Sequence, residues 1–128
     1  MTAREVALAW IDAFNASDID SILALSEPNV VIDGMAGEQH GHEALRARLE
    51  GQTYGVAITV TVLGSWERDG MVVMQTRSEV RFGNSSEPEI MQGASLFTVR
   101  GGRVARIKAV NDLAAALASA GTDSESGD

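Results

Sequence analysis

The chain of 128 residues contains no cysteine, which excludes a disulfide framework, a thiol nucleophile and a thiolate metal site. It also lacks an apolar run near the roughly 20 residues of a membrane span, and its N-terminus lacks the basic-then-apolar layout of a signal peptide. Basic residues are few: ten Lys and Arg stand against 18 Asp and Glu, for a net charge of −8. This composition argues against nucleic-acid and membrane partners and indicates a cytoplasmic protein.

The length fits one domain with a single hydrophobic core. We expect that domain to cover residues 1–120, and its last segment, 112–120, to form a short alanine-rich helix. The final residues, 121–128, are polar, acidic and without apolar anchors. They are expected to form a disordered tail.

Two pairs of residues mark the starts of the first two helices. Thr2 with Glu5, and Ser17 with Asp20, have the spacing of N-terminal capping pairs. Apolar residues at helical spacing follow both pairs, and the second helix is expected to stop before Pro28.

The middle of the chain changes from helical to strand periodicity. A strand is expected at about 29–33 and a third helix at about 42–50, with Leu45 and Leu49 facing inward. From residue 54 onward the period is two, which predicts four long strands: one with strict alternation over 56–63 that ends before a turn at 68–70, and three more at about 71–82, 89–100 and 103–110. Helices followed by a meander indicate an α+β fold: a cone-shaped, curved antiparallel sheet covered by the N-terminal helices, with a cavity in the middle.

Asp33 is the first candidate for catalysis. It follows the apolar run Val30, Val31 and Ile32 and precedes a pliant glycine-containing segment. A carboxylate in this place can reach a nonpolar interior, which disfavours its ionised form and suits a general acid or base. The alternative interpretation is that Asp33 ends a strand and faces water.

The order of elements and four short segments resemble the nuclear transport factor 2-like superfamily, and within it the SnoaL-like, ketosteroid isomerase-like branch. The resemblance covers about residues 4–112, and the segments that carry it are 13–20, 30–33, 41–45 and 99–104. It implies a cystatin-like α+β barrel and a homodimer that pairs through the exposed sheet. The superfamily includes isomerases, polyketide cyclases, epoxide hydrolases, dehydratases and binding proteins, so the fold does not define the reaction.

Comparison with the ketosteroid isomerases assigns roles to three residues. Asp33 matches their proton-shuttling carboxylate, whereas Trp10 replaces a tyrosine and Ser95 replaces a protonated aspartate. An indole N–H and a hydroxyl can both donate a hydrogen bond to an enolate. The resemblance therefore implies Asp33 as the base, with Trp10 and Ser95 as donors.

Limonene epoxide hydrolases give a second comparison, on a different strand. Their Arg-x-Asp motif matches Arg77 and Glu79, and their second aspartate falls at Ala109. Two residues apart, Arg77 and Glu79 share one face of a strand. That face lies either in the cavity, where the pair would act on the substrate, or in solvent as part of a charged stripe.

The resemblance also implies an apolar pocket that suits a hydrophobic small molecule. Its expected lining residues are Phe14, Met35, His40, Met91, Phe97, Ile107 and Ala109. His40 and His42 have no third ligand at suitable spacing, so neither a metal site nor a cofactor is expected.

We therefore expect a cofactor-independent acid–base enzyme, an isomerase, cyclase or epoxide hydrolase, that acts on a steroid-, terpenoid- or polyketide-like compound. The alternative is a binding or dimerisation module with the same pocket and no turnover.

Overall fold

The computed structural model describes residues 2–34, 37–51, 56–83 and 87–110. Met35, the segment expected as a terminal helix (112–120) and the expected tail (121–128) lie outside these ranges. Within them the elements follow in the order α1 (Ala3–Asn15), α2 (Ile19–Ala24), β1 (Ser26–Gly34), β2 (Gly37–His40), α3 (Gly41–Gly51), β3 (Val56–Arg68), β4 (Met71–Phe82), β5 (Glu89–Arg100) and β6 (Arg103–Val110).

The predicted capping pair at the start of α1 is confirmed. Thr2 Oγ1 accepts a hydrogen bond from the Glu5 backbone at 3.1 Å, and the Glu5 carboxylate accepts one from the Thr2 backbone at 2.8 Å. The second bond is the main reason that the pKa of Glu5 lies below its ordinary value.

No helix among the described residues is long and apolar enough to cross a membrane.

The predicted capping pair of α2 is wrong by one residue. Asp18 is the N-cap: its Oδ1 accepts from the Ser21 backbone at 3.2 Å and its Oδ2 from the Ser21 hydroxyl at 2.6 Å. These bonds lower the pKa of Asp18, with the Ser21 side chain as the larger cause. Ser17 instead has φ of 57° and turns the chain between the two helices.

The described residues form one curved, unclosed sheet of six strands, in the order β2-β1-β6-β5-β4-β3. The antiparallel meander β3–β6 and the α+β class are confirmed. Two details were not anticipated. The short strand β2 pairs with β1, and β1 pairs with β6 in parallel. One helix (α3) and four strands (β2–β5) separate β1 from β6 in the chain, so no hairpin imposes an antiparallel direction on this pair.

The sheet has an inner and an outer face, which strand alternation defines. The inner face carries Val72, Met74 and Phe97, which pack on α1 in the main core. The outer face carries a smaller cluster of Val73, Ala94 and Leu96, with Trp66 and Met71 packed against it.

A β-bulge in β3 changes which residues point inward. The pairing of β3 with β4 slips between Val62 and Gly64, so Leu63 is an extra residue. Before the bulge Val60 and Val62 pack on the inner core, and after it Trp66 packs on the outer cluster. Because of the bulge, one strand contributes Val60 and Val62 to the inner core and the Trp66 ring to the outer cluster.

Candidate functional site

A cavity of about 270 Å³ lies between the inner face of the sheet and helices α1 and α3. Most of its wall is apolar: Trp10, Ile11, Phe14, Ile32, Leu45, Leu49, Ile58, Val60, Phe97, Ile107 and Ala109. Leu45 and Leu49 are buried, which confirms their predicted inward orientation. The polar residues at the wall are Asp33, Arg48, Thr76, Ser78 and Ser95.

Three hydroxyl side chains line the sheet side of this cavity. Thr76 and Ser78 come from β4, and Ser95 lies on the neighbouring strand β5, opposite Met74. Within the described ranges no protein group forms a hydrogen bond with these three hydroxyls. None of the three oxygens is fully buried, so each can be reached by solvent or a ligand. They can therefore donate to and accept from a bound molecule.

Sequence reasoning found Ser95 but missed Thr76 and Ser78. The signal was present, because these two are the polar members of an otherwise apolar alternation with Val72, Met74 and Val80. Alternation along β4 assigned them to the more apolar face, which is the inner one.

Trp10 borders the cavity, but its indole N–H is already engaged. Nε1 donates to Ser26 Oγ at 3.2 Å, and that hydroxyl donates to the Ile22 carbonyl at 2.7 Å. Only 6% of Trp10 and 2% of Ser26 are exposed. The expected role of Trp10 as a donor to substrate is therefore not supported, and its ring instead forms part of the wall, edge-on to Phe97 at 5.4 Å.

Asp33 lies at the rim of the cavity, at the end of β1. Its Oδ2 is 3.5 Å from Nη1 of Arg106, and the same nitrogen is 3.5 Å from Oε2 of Glu38. Glu38 is the cross-strand partner of Asp33, and Arg106 alternates with Ile107, which lines the cavity. One arginine thus joins two carboxylates beside the rim.

This geometry differs from the expected burial of Asp33 in an apolar interior. The side chain is 27% exposed and ion-paired, because alternation along β1 gives the buried position to Ile32. Asp33 borders the cavity, and its carboxylate forms an ion pair with Arg106, which lies on the outer face of the sheet.

Arg77 and Glu79 do not line the cavity, which decides between the two orientations that the sequence left open. They occupy the outer face of β4, because Thr76 and Ser78 take the inner positions. Both are partly exposed, and Arg77 Nη1 lies 3.2 Å from Glu79 Oε1. The pair belongs to the solvent-facing charged stripe that was the alternative interpretation.

Two predicted lining residues lie outside the cavity wall. His40 is 62% exposed on β2, with Nε2 3.5 Å from Glu38 Oε1, because the short edge strand lies on the far side of β1. Met91 is 59% exposed near the start of β5, beyond the wall. Met35 lies outside the described residues, whereas Phe14, Phe97, Ile107 and Ala109 border the cavity.

Arg48 is a site residue that sequence reasoning missed. It lies on α3, next to the buried stripe formed by Leu45 and Leu49. Its side chain is exposed to solvent and borders the cavity. The signal was its position directly before Leu49, next to the apolar stripe of the helix. Among the described residues no group of three His, Cys, Asp or Glu side chains could hold a metal ion.

The sequence and the fold of this chain are similar to those of several known proteins. The family model described as a SnoaL-like domain matches residues 7–107. A candidate polyketide cyclase from Pseudomonas putida is 20% identical, with a TM-score of 0.79 over 88% of this chain and 93% of its own. An LEH-like epoxide hydrolase from M. tuberculosis is 16% identical, with a TM-score of 0.77 over 87% of this chain and 83% of its own.

A hypothetical protein with a ketosteroid isomerase-like fold from Catenulispora acidiphila is 16% identical, with a TM-score of 0.76 over 98% of each chain. At these identities the structural similarity shows the fold alone. No curated protein matches this chain significantly.

Proposed function

Because this chain belongs to the SnoaL-like domain family, we propose that it binds an apolar small molecule in the cavity and acts on it by cofactor-independent proton transfer. One observation carries the proposal: an apolar cavity brings three hydroxyls, which form no hydrogen bond with a described residue, together with a carboxylate at its rim. Acid–base chemistry on a carbonyl compound needs this combination, a proton acceptor and donors for the developing charge.

The residues divide the work as follows. Asp33 takes a proton from the carbon next to a substrate carbonyl, and the electron pair moves to the carbonyl oxygen. Hydroxyl donors among Ser95, Ser78 and Thr76 stabilise that oxygen as it becomes negative. Return of the proton to another carbon completes an isomerisation. In a cyclisation the enolate carbon attacks a second carbonyl, and the proton on Asp33 passes to the alkoxide oxygen that this attack forms.

Isomerase or cyclase chemistry is favoured over epoxide hydrolysis. Epoxide opening by a carboxylate–arginine–carboxylate relay would need Arg77 and Glu79 beside the substrate, and both lie on the outer face. Ala109, which borders the cavity, supplies no second acid. Proton transfer to and from carbon requires one carboxylate and nearby hydroxyls.

Exchange of carbon-bound hydrogen tests this proposal without knowledge of the natural substrate. The protein is incubated in D₂O with α-tetralone, an apolar ketone, and exchange of its C2 hydrogens is followed by NMR. We expect exchange above the buffer rate, lowered about 100-fold or more by Asp33→Asn, since a general base contributes about 10²–10⁴-fold. Asp69→Asn, in the β3–β4 turn, is the matched control and should keep the activity.

A binding module without turnover is the second candidate, and one observation favours it: the carboxylate of Asp33 is engaged by Arg106. In that case the ketone binds, exchange stays at the buffer rate, and Asp33→Asn changes nothing. Native mass spectrometry of the purified protein would then identify the retained ligand.

We further propose a homodimer that pairs through the outer face. On that face the partly exposed Trp66 and Met71 cover the buried apolar cluster, and Ile90 is about half exposed. Light scattering at micromolar concentration tests this: a dimer is expected, and a monomer would contradict the proposal. Trp66→Arg should shift the equilibrium toward monomer, because it introduces a like charge at the centre of both contacting surfaces.

A further inference from the structure

We infer that the cavity selects apolar molecules that carry a carboxylate, and that Arg48 is the residue that selects them. The inference deepens the proposed function by naming the substrate class, and it rests on binding in that cavity.

Among the described residues two charged side chains border the cavity, and one of them is ion-paired. Asp33 forms its ion pair with Arg106. Arg48 forms neither an ion pair nor a hydrogen bond with any described residue. Its neighbour on the helix, Arg46, differs in this respect, because it pairs with Asp20 at 3.5 Å.

Arg48 is one of several basic side chains that form no ion pair with a described residue, and among them it is the one that borders the cavity. The chain holds 18 carboxylates against ten basic side chains, yet no described carboxylate approaches Arg48. Its guanidinium is therefore available to a ligand without the loss of an existing ion pair. A guanidinium offers parallel N–H donors that match the two oxygens of a carboxylate.

The position of Arg48 defines how such a ligand would lie. The residue is exposed, with the buried Leu49 directly after it, so its charge is at the solvent edge of an apolar chamber. An acid anchored there directs its apolar part inward, toward Phe97 and the hydroxyls of Ser78 and Ser95. The volume of about 270 Å³ is near the lower limit of ligand pockets and suits a short acid.

The test compares two ligands of the same shape and different charge. Binding of 4-phenylbutyrate and 4-phenylbutanamide is measured by isothermal titration calorimetry at low ionic strength. We expect the acid to bind about five- to tenfold more tightly, as suits a charge-assisted contact at a partly exposed site. Arg48→Gln should abolish this preference and leave amide binding unchanged, whereas Arg46→Gln, the matched control, should keep the preference.

The outcomes separate this inference from the proposed function. Equal binding of acid and amide by the unaltered protein, or a preference that survives Arg48→Gln, overturns the selection by Arg48 and leaves the apolar site intact. Failure of both ligands to bind overturns the inference, and failure of α-tetralone to bind as well removes the proposed site. If Arg48 serves only the C-terminal dipole of α3, Arg48→Gln lowers the melting temperature without changing selectivity, which also overturns the inference.

Discussion

Ser26 accepts the indole hydrogen bond of Trp10 at 3.2 Å and is the point at which three helices are joined to the sheet. Its hydroxyl donates to the Ile22 carbonyl of α2, and its own carbonyl accepts from His42 Nε2 of α3 at 2.9 Å. The carbonyl can only accept, so His42 carries its proton on Nε2 in this contact. Each helix that covers the inner face thus reaches the first residue of β1.

Removal of the Ser26 hydroxyl should destabilise the fold. Ser26→Ala leaves the buried indole N–H of Trp10 without a partner, at a cost of about 1–3 kcal/mol in the free energy of unfolding. Urea denaturation measures it. Trp10→Phe in the Ser26→Ala background removes the orphaned donor, so the two effects should be less than additive; strictly additive losses would contradict the hydrogen-bonded link.

Arg106 should stabilise the rim by separating the charges of Asp33 and Glu38. Arg106→Gln leaves these cross-strand carboxylates facing each other, and like charges directly opposite are destabilising. We expect a loss of about 0.5–1 kcal/mol by chemical denaturation, as suits partly exposed groups. Adding Glu38→Gln should restore most of that stability. No recovery in the double variant would show that Arg106 contributes through packing alone.

Gly70 should tolerate a side chain less well than Gly102. Both have positive φ, +82° and +79°, but a Cβ on Gly70 would lie 2.8 Å from the Val99 carbonyl oxygen, whereas one on Gly102 would have open space. Gly102→Ala should cost about 1 kcal/mol from backbone strain alone. Gly70→Ala should cost about 3 kcal/mol or more, because strain and collision combine. Equal losses in thermal unfolding would rule out the collision.

The cap of α2 should make stability depend on pH in acid. The folded pKa of Asp18 lies below its ordinary value of 3.8, so this group stabilises the fold above that value. Its contribution is lost as pH falls through the lowered folded pKa. Asp18→Asn keeps a capping side chain that does not titrate. The stability difference between the two proteins should therefore shrink between about pH 5 and pH 2, and a constant difference would contradict the assignment.

Most of the fold follows from local patterns in the sequence. Strict alternation defines the long strands, and the SnoaL-like domain match confirms the family resemblance. Strand β2 escaped notice because Gly37 opens it and all its residues are exposed, so no apolar alternation marks it. The parallel pairing of β1 with β6 depends on a contact between distant segments, for which periodicity contains no signal.

The site was harder to predict, because the role of each residue depends on where its side chain points and on which groups it pairs with. Asp33 was identified from its position after an apolar run, but its ion pair with Arg106 depends on the neighbouring strand β6. Trp10 was placed correctly at the wall, and only the structure shows that Ser26 engages its N–H. For Arg77, the apolar alternation on the opposite face was the better guide, and the positional match to another family was misleading.

The last strand among the described residues occupies an interior position in the sheet. Strand β6 lies between β5 and β1, so residues 103–110 join the β1–β2 hairpin to the meander. During synthesis on the ribosome, the two parts of the sheet cannot be joined until almost the whole body has been made, and such late, long-range pairing slows folding. A chain that ends at Arg100 would present two unfinished edges, and those edges are templates for aggregation.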